Sequence, residues 1–160
     1  MTERPRLRAR QVNERPHVLV VTDDESLSGF LAEGLPLGGF WVSVIASGLQ
    51  ALEVFRLRSF DIVLIDAGLQ SFQSMELIRR LRGTSTRVQD HEPRTTSPLV
   101  IISEDEDPFS EDERRDLAIA AFMRAPLEID EIVRELHAVF GRWRQDNPDA
   151  ALADAAVLER

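Results

Sequence analysis

The chain has 160 residues and sets 19 basic against 28 acidic side chains, for a net charge of −9; every basic residue is an arginine and no lysine occurs. The absence of cysteine rules out disulfide frameworks and thiolate metal sites, and the acidic balance opposes nonspecific nucleic-acid binding. No stretch approaches the ~20 apolar residues of a membrane helix, and the N-terminus lacks the apolar run of a secretory signal, so a cytoplasmic domain with short tails and no membrane partner is expected.

Residues 1–16 carry Arg4, Arg6, Arg8, Arg10 and Arg15 without helical or strand periodicity, and read as a flexible arm. A continuous apolar run then begins. His17-Val18-Leu19-Val20-Val21 has the β-branched, unalternating pattern of a strand buried on both faces. Leu27, Phe30 and Leu31 fall on one helical stripe, which Gly34, Pro36, Gly38 and Gly39 are expected to end. Phe40 to Ala46 reads as a second strand, and Leu49, Leu52 and Phe55 as a second helix.

Asp61 to Asp66 is a third buried strand, and Met75, Ile78 and Leu81 mark a third helix ending near Gly83. Residues 84–97 lack periodicity and read as a long loop. Leu99 to Ile102 is a fourth strand. Glu104 to Asp116 holds eight acids, with Pro108 and Ser110 as a helix-start signal. A fifth strand lies within Ala118 to Met123, and Ile129, Ile132, Val133, Leu136, Phe140 and Trp143 form an amphipathic helix. The tail, 144–160, is polar and then alanine-rich. The folded domain is thus expected over 17–143.

Strands alternate with helices five times, which predicts an α/β fold: a (βα)5 doubly wound parallel sheet covered on both faces. Function in such sheets sits beyond the carboxyl ends of the strands. Those ends carry Asp23 and Asp24, then Asp66, then Ser103, then Arg124-Ala125-Pro126. Carboxylates converging there repel unless they share a cation. An oxygen-only donor set suits Mg²⁺, and a carboxylate can act as a nucleophile toward phosphorus. His17, His91 and His137 are too scattered for a metal site, and Asp90-His91-Glu92 is a weak loop cluster.

The segments Val20-Val21-Thr22-Asp23-Asp24-Glu25, Asp61 to Asp66, Val100-Ile101-Ile102-Ser103 and Phe122-Met123-Arg124-Ala125-Pro126-Leu127 together resemble the receiver domain of two-component response regulators, whose fold is flavodoxin-like. The resemblance implies that Asp66 is the phosphoacceptor. It also implies that Asp23, Asp24, Asp66 and the Gly68 backbone carbonyl hold Mg²⁺, and that Ser103 and Phe122 form the switch. Four positions depart from the family pattern. Ala125 stands where the family has a lysine, and Glu104 where it has a small residue. Gln70 and Ser74 replace a proline and a glycine in the loop after Asp66.

The resemblance implies a receiver in phosphorelay signalling, without enzymatic activity beyond its own phosphorylation; with 17 residues after Trp143, it is expected to stand alone. A sensor histidine kinase or phosphotransfer protein would act upstream and a protein partner downstream; homodimerisation fits the same frame. No glycine-rich phosphate loop occurs, which argues against nucleotide chemistry. The alternative is a pseudo-receiver that keeps the fold and binds proteins without phosphorylation.

Overall fold

A computed structural model of the chain describes residues 15–70, 74–84 and 94–150. Most of the N-terminal arm, the Asp90-His91-Glu92 cluster and the end of the C-terminal tail lie outside those residues.

The apolar runs become β1 (His17–Val21), β3 (Ile62–Asp66) and β4 (Leu99–Ser103); Trp41–Ile45 forms β2 and Ile119–Arg124 forms β5. Helices α1 (Glu25–Leu37), α2 (Gly48–Leu57), α3 (Ser74–Arg82), α4 (Glu111–Asp116) and α5 (Ile129–Asp146) alternate with them. All strand pairs are parallel, in the order β2-β1-β3-β4-β5.

Strand alternation sorts the core into two layers. Val18, Val20, Ile62, Leu64, Val100 and Ile102 face α1 and α5, where Leu31, Leu35, Ile132 and Leu136 cover them. Leu19, Val21, Val63, Ile65, Leu99 and Ile101 face α2 and α3, where Leu52, Leu77, Ile78 and Leu81 cover them. Each fully buried aliphatic side chain contributes about 1.5–3 kcal/mol, so these central strands dominate the stability. The edge strand β2 is only half-buried, and Trp41 at its start is exposed.

Polar caps start three helices as the sequence chemistry requires. Asp24 accepts the Ser26 and Leu27 amides at the head of α1, and Ser47 accepts that of Gln50 at the head of α2. Ser110 and Glu113 form a reciprocal capping box on α4.

Helix α1 corrects one expectation. Gly34 and Pro36 do not end it; the helix runs through both to Leu37. Gly34 serves close packing, because a Cβ there would lie 2.4 Å from Ile129 Cγ1 of α5. Pro36 sits one residue before the helix end, so its missing amide removes a single helical bond, the one to the Ala32 carbonyl. The reversal is made by Gly38, whose amide reaches the Leu35 carbonyl, and by Gly39 at φ +96°.

The fifth strand starts and ends one residue later than expected. A bulge at Ala120 shifts its register, from Leu99 opposite Ile119 to Val100 opposite Ala121. Helix α5 continues to Asp146, three residues past Trp143.

Candidate functional site

In this arrangement the order in which strands are added reverses between β1 and β3, and the crevice of a doubly wound sheet opens at the carboxyl ends beside that point. A cleft of about 450 Å³ lies there, lined by Asp23, Asp24, Leu27, Asp66, Gly68, Gln70, Ile102, Ser103, Glu104, Asp105 and Ala125. The structure therefore gathers most of the residues singled out in the sequence. Phe122 and Ser74 are not among the lining residues. Phe122 is half-buried against the α2–α3 layer, and Ser74 is buried at the first position of α3.

Asp66 ends β3, and both of its carboxylate oxygens are held. The Thr22 hydroxyl donates to Oδ2 at 2.7 Å, and the Gly68 amide donates to Oδ1 at 2.8 Å. Asp24 spends Oδ1 on capping α1. Asp23 accepts the Gln70 backbone amide on Oδ2 at 3.0 Å, and the Gln70 side chain donates to the Gly68 carbonyl at 3.2 Å. A proline at position 70 could make neither bond, so the departure at Gln70 ties the β3–α3 loop across the acids.

Ser103 ends β4. Its hydroxyl accepts the Asp105 amide at 3.0 Å, and its carbonyl accepts the Ala125 amide at 2.7 Å. The bond to Asp105 leaves the hydroxyl proton available for another acceptor. Ala125 lines the cleft while the neighbouring Arg124 is exposed outside it. Five carboxylates thus line the cleft and no basic side chain does.

The donor chemistry suits Mg²⁺, which takes oxygen ligands and keeps several waters. Among the described residues no three acidic or histidine side chains stand close enough to form a ready cage. Asp23 Oδ1, Asp24 Oδ2 and one lone pair on each Asp66 oxygen accept no hydrogen bond from the described residues, and they remain available as ligands.

The sequence reading missed Thr22. The signal was present in the parallel register: Val18 pairs with Ile62 and Val20 with Leu64, each 44 residues apart. The same offset carried two residues further places Thr22 opposite Asp66, on the same face of the sheet.

No model of a known protein family matches the chain. Individual relatives do. It is 30% identical over 142 residues to the sensory transduction protein RegX3 of Mycolicibacterium smegmatis, covering 89% of this chain and 57% of that one. It is 23% identical over 130 residues to the response regulator ArlR of Staphylococcus saprophyticus, covering 81% of this chain and 54% of that one. The chain thus spans little more than half the length of these relatives. Among solved structures it is similar to a CheY-like response regulator receiver domain from Methylobacillus flagellatus. The TM-score is 0.64 at 23% identity, over 78% of this chain and 98% of that one. No described helix is long and apolar enough to cross a membrane. The parallel five-stranded sheet, the acid-lined cleft at its switch point and these relatives together place the chain among the receiver domains of two-component response regulators.

Proposed function

We propose that this receiver accepts a phosphoryl group on Asp66 from a phosphohistidine of a sensor histidine kinase or phosphotransfer protein, and passes the signal on by protein contact. The observation that carries the reading is the Asp66 carboxylate, held at both oxygens and sharing one cleft with Asp23, Asp24 and the Gly68 carbonyl. In the transfer, a carboxylate lone pair forms the O–P bond as the donor's P–N bond breaks. The leaving imidazole nitrogen keeps the bonding pair and takes up a proton.

Asp23, Asp24, Asp66 and the Gly68 carbonyl would hold Mg²⁺, whose charge offsets that of the phosphoryl oxygens. Ser103 donates its free proton to the transferred group, and the half-buried Phe122 repacks beneath it as the switch. Apart from its own phosphorylation the domain is not an enzyme. It works in the cytoplasm through a downstream protein, alone or as a homodimer.

The test is incubation with Mg²⁺ and phosphoramidate or acetyl phosphate, followed by intact mass. A phosphoryl adduct is expected on the wild type and none on Asp66→Asn. Absence of an adduct on the wild type overturns the reading. It would favour a phosphorylation-independent interaction module instead, a second reading supported by Glu104 and Asp105 lining the cleft with no basic side chain beside them.

A further inference from the structure

We infer that Thr22 is a positioning residue for the reaction at Asp66: its hydroxyl holds the inner carboxylate oxygen so that the outer one is presented to the phosphoryl donor. The inference rests on Asp66 being the phosphoacceptor and adds a residue to that site.

Three observations carry it. The first is the direction of the hydrogen bonds. A hydroxyl has a single proton. The Asp24 amide donates into the Thr22 oxygen at 3.1 Å, and a carboxylate can only accept, so the Thr22 proton lies on the 2.7 Å line to Asp66 Oδ2. The relay runs one way, from the Asp24 amide through the Thr22 hydroxyl to Asp66.

The second is burial. Thr22 is 1% exposed, whereas Gly68, which holds Oδ1, is exposed. Oδ2 is therefore the inward oxygen and Oδ1 the outward one. A hydrogen bond between a buried hydroxyl and a carboxylate is short and stronger than a neutral pair, so it restrains rotation of the carboxylate plane.

The third is rigidity. The Thr22 backbone amide bonds the Ile45 carbonyl at 3.0 Å, which continues the β1–β2 ladder one residue past the end of β1. The Thr22 hydroxyl is thus carried by the sheet and not by a loose loop. It meets Asp66 in the cross-strand register that already pairs Val20 with Leu64. A threonine needed only to end the strand would have its hydroxyl satisfied by a nearby backbone carbonyl. This one reaches across to the reacting group.

Reaction geometry then decides the consequence. In the transfer the outer oxygen forms the O–P bond as the donor bond to phosphorus breaks, and the leaving group takes the bonding pair. Oδ2 becomes the carbonyl oxygen of the acyl phosphate and continues to accept the Thr22 proton. The hydrogen bond thus survives the reaction while fixing the plane in which attack occurs. Losing it frees the carboxylate to turn out of line, and misplacements on the order of 1 Å cost up to about 100-fold in rate.

The test measures phosphorylation by acetyl phosphate and Mg²⁺ as a function of donor concentration, for wild type, Thr22→Val, Thr22→Ala and Thr22→Ser, with a thermal melt of each. Both variants lacking the hydroxyl should lose about tenfold or more in maximal rate, with the half-saturating donor concentration unchanged. Thr22→Ser should restore the rate. A purely structural role would move the melting temperature and leave the maximal rate of the folded protein alone. If the wild type gains an adduct and Thr22→Val or Thr22→Ala reacts as fast, or Thr22→Ser stays slow, the positioning role is overturned while Asp66 stands. If the wild type gains none, both are overturned. Should neither hydroxyl-free variant fold, the wild type decides alone. Its Thr22 hydroxyl proton should be visible by NMR as slowly exchanging, and its absence overturns the inference.

Discussion

His17 should make the fold lose stability in mild acid, and the size of the loss follows from its surroundings. It opens β1 and is 5% exposed, with its ring edge-on to Phe60 at 5.0 Å. Arg58 Nη2 lies 2.8 Å from Nδ1, and Ser43 Oγ lies 2.8 Å from Nε2. A guanidinium only donates, so Nδ1 must accept from Arg58 and Nε2–H must donate to Ser43. That fixes the neutral tautomer. Protonation would place a second proton against a cation. Burial first, then the Arg58 charge, push the His17 pKa down from 6.5 to about 4, against an opposing pull from Asp61.

The sign follows from linkage. Between those two values the unfolded chain binds a proton that the folded chain refuses, so stability is full above pH 6.5 and falls as the pH drops toward 4. At about 1.4 kcal/mol per pH unit the loss is at most about 3 kcal/mol. His17→Gln can keep both hydrogen bonds and cannot titrate. Urea unfolding of both proteins from pH 7 to pH 4 checks this. The wild-type curve should fall below that of His17→Gln by about 2–3 kcal/mol across this window. Parallel curves would refute the assignment of a neutral, buried His17.

Two further outcomes are expected. Arg82 donates to the carbonyls of Thr95, Leu117 and Ala118 at 2.7, 2.8 and 3.0 Å, tying the end of α3 to the α4–β5 turn, where Ala118 sits at φ +50°. Arg82→Lys should destabilise nearly as much as Arg82→Ala, by about 2–4 kcal/mol in urea unfolding, because one ammonium cannot reproduce a planar fork; full rescue by lysine would contradict this. Ala125→Lys should lower the beryllofluoride concentration that half-saturates the Mg²⁺-loaded protein by about fivefold, the worth of one partly exposed ion pair. An unchanged midpoint by fluorine NMR would mean that the missing cation does not limit the site.

The central strands were legible because β1, β3 and β4 are each continuous apolar runs, and only a sheet covered on both faces hides such a run. The acids were legible because they follow those runs directly. What escaped reading depends on contacts between distant segments. Gly34 looked like a helix stop, yet its role is set by Ile129 on another helix. Arg82 was one arginine among 19, and its three carbonyl partners lie 13 to 36 residues away. The bulge in β5 leaves no mark in an apolar run such as Ala118-Ile119-Ala120-Ala121. Gln70 was visible as a departure, but its bonds to Asp23 and Gly68 require the folded loop.

Register connects the two ends of β1. At the start of the strand, the His17 amide donates to the Asp61 carboxylate at 2.7 Å, and the Asp61 amide donates back to the His17 carbonyl at 2.9 Å. The offset is 61 − 17 = 44, the same as that of Thr22 and Asp66 at the far end. A slip by one residue would turn Asp66 onto the opposite face of the sheet and leave Thr22 without its acceptor. The reciprocal clamp at His17 and Asp61, remote from the cleft, therefore selects which side chains meet within it. The four apolar residues between, Val18 to Val21, are at most 1% exposed and transmit that choice without slack. A variant that loosens the clamp, such as Asp61→Ala, acts on the site through register, and it should slow the phosphorylation of Asp66 by acetyl phosphate even though Asp61 is not among the residues lining the cleft.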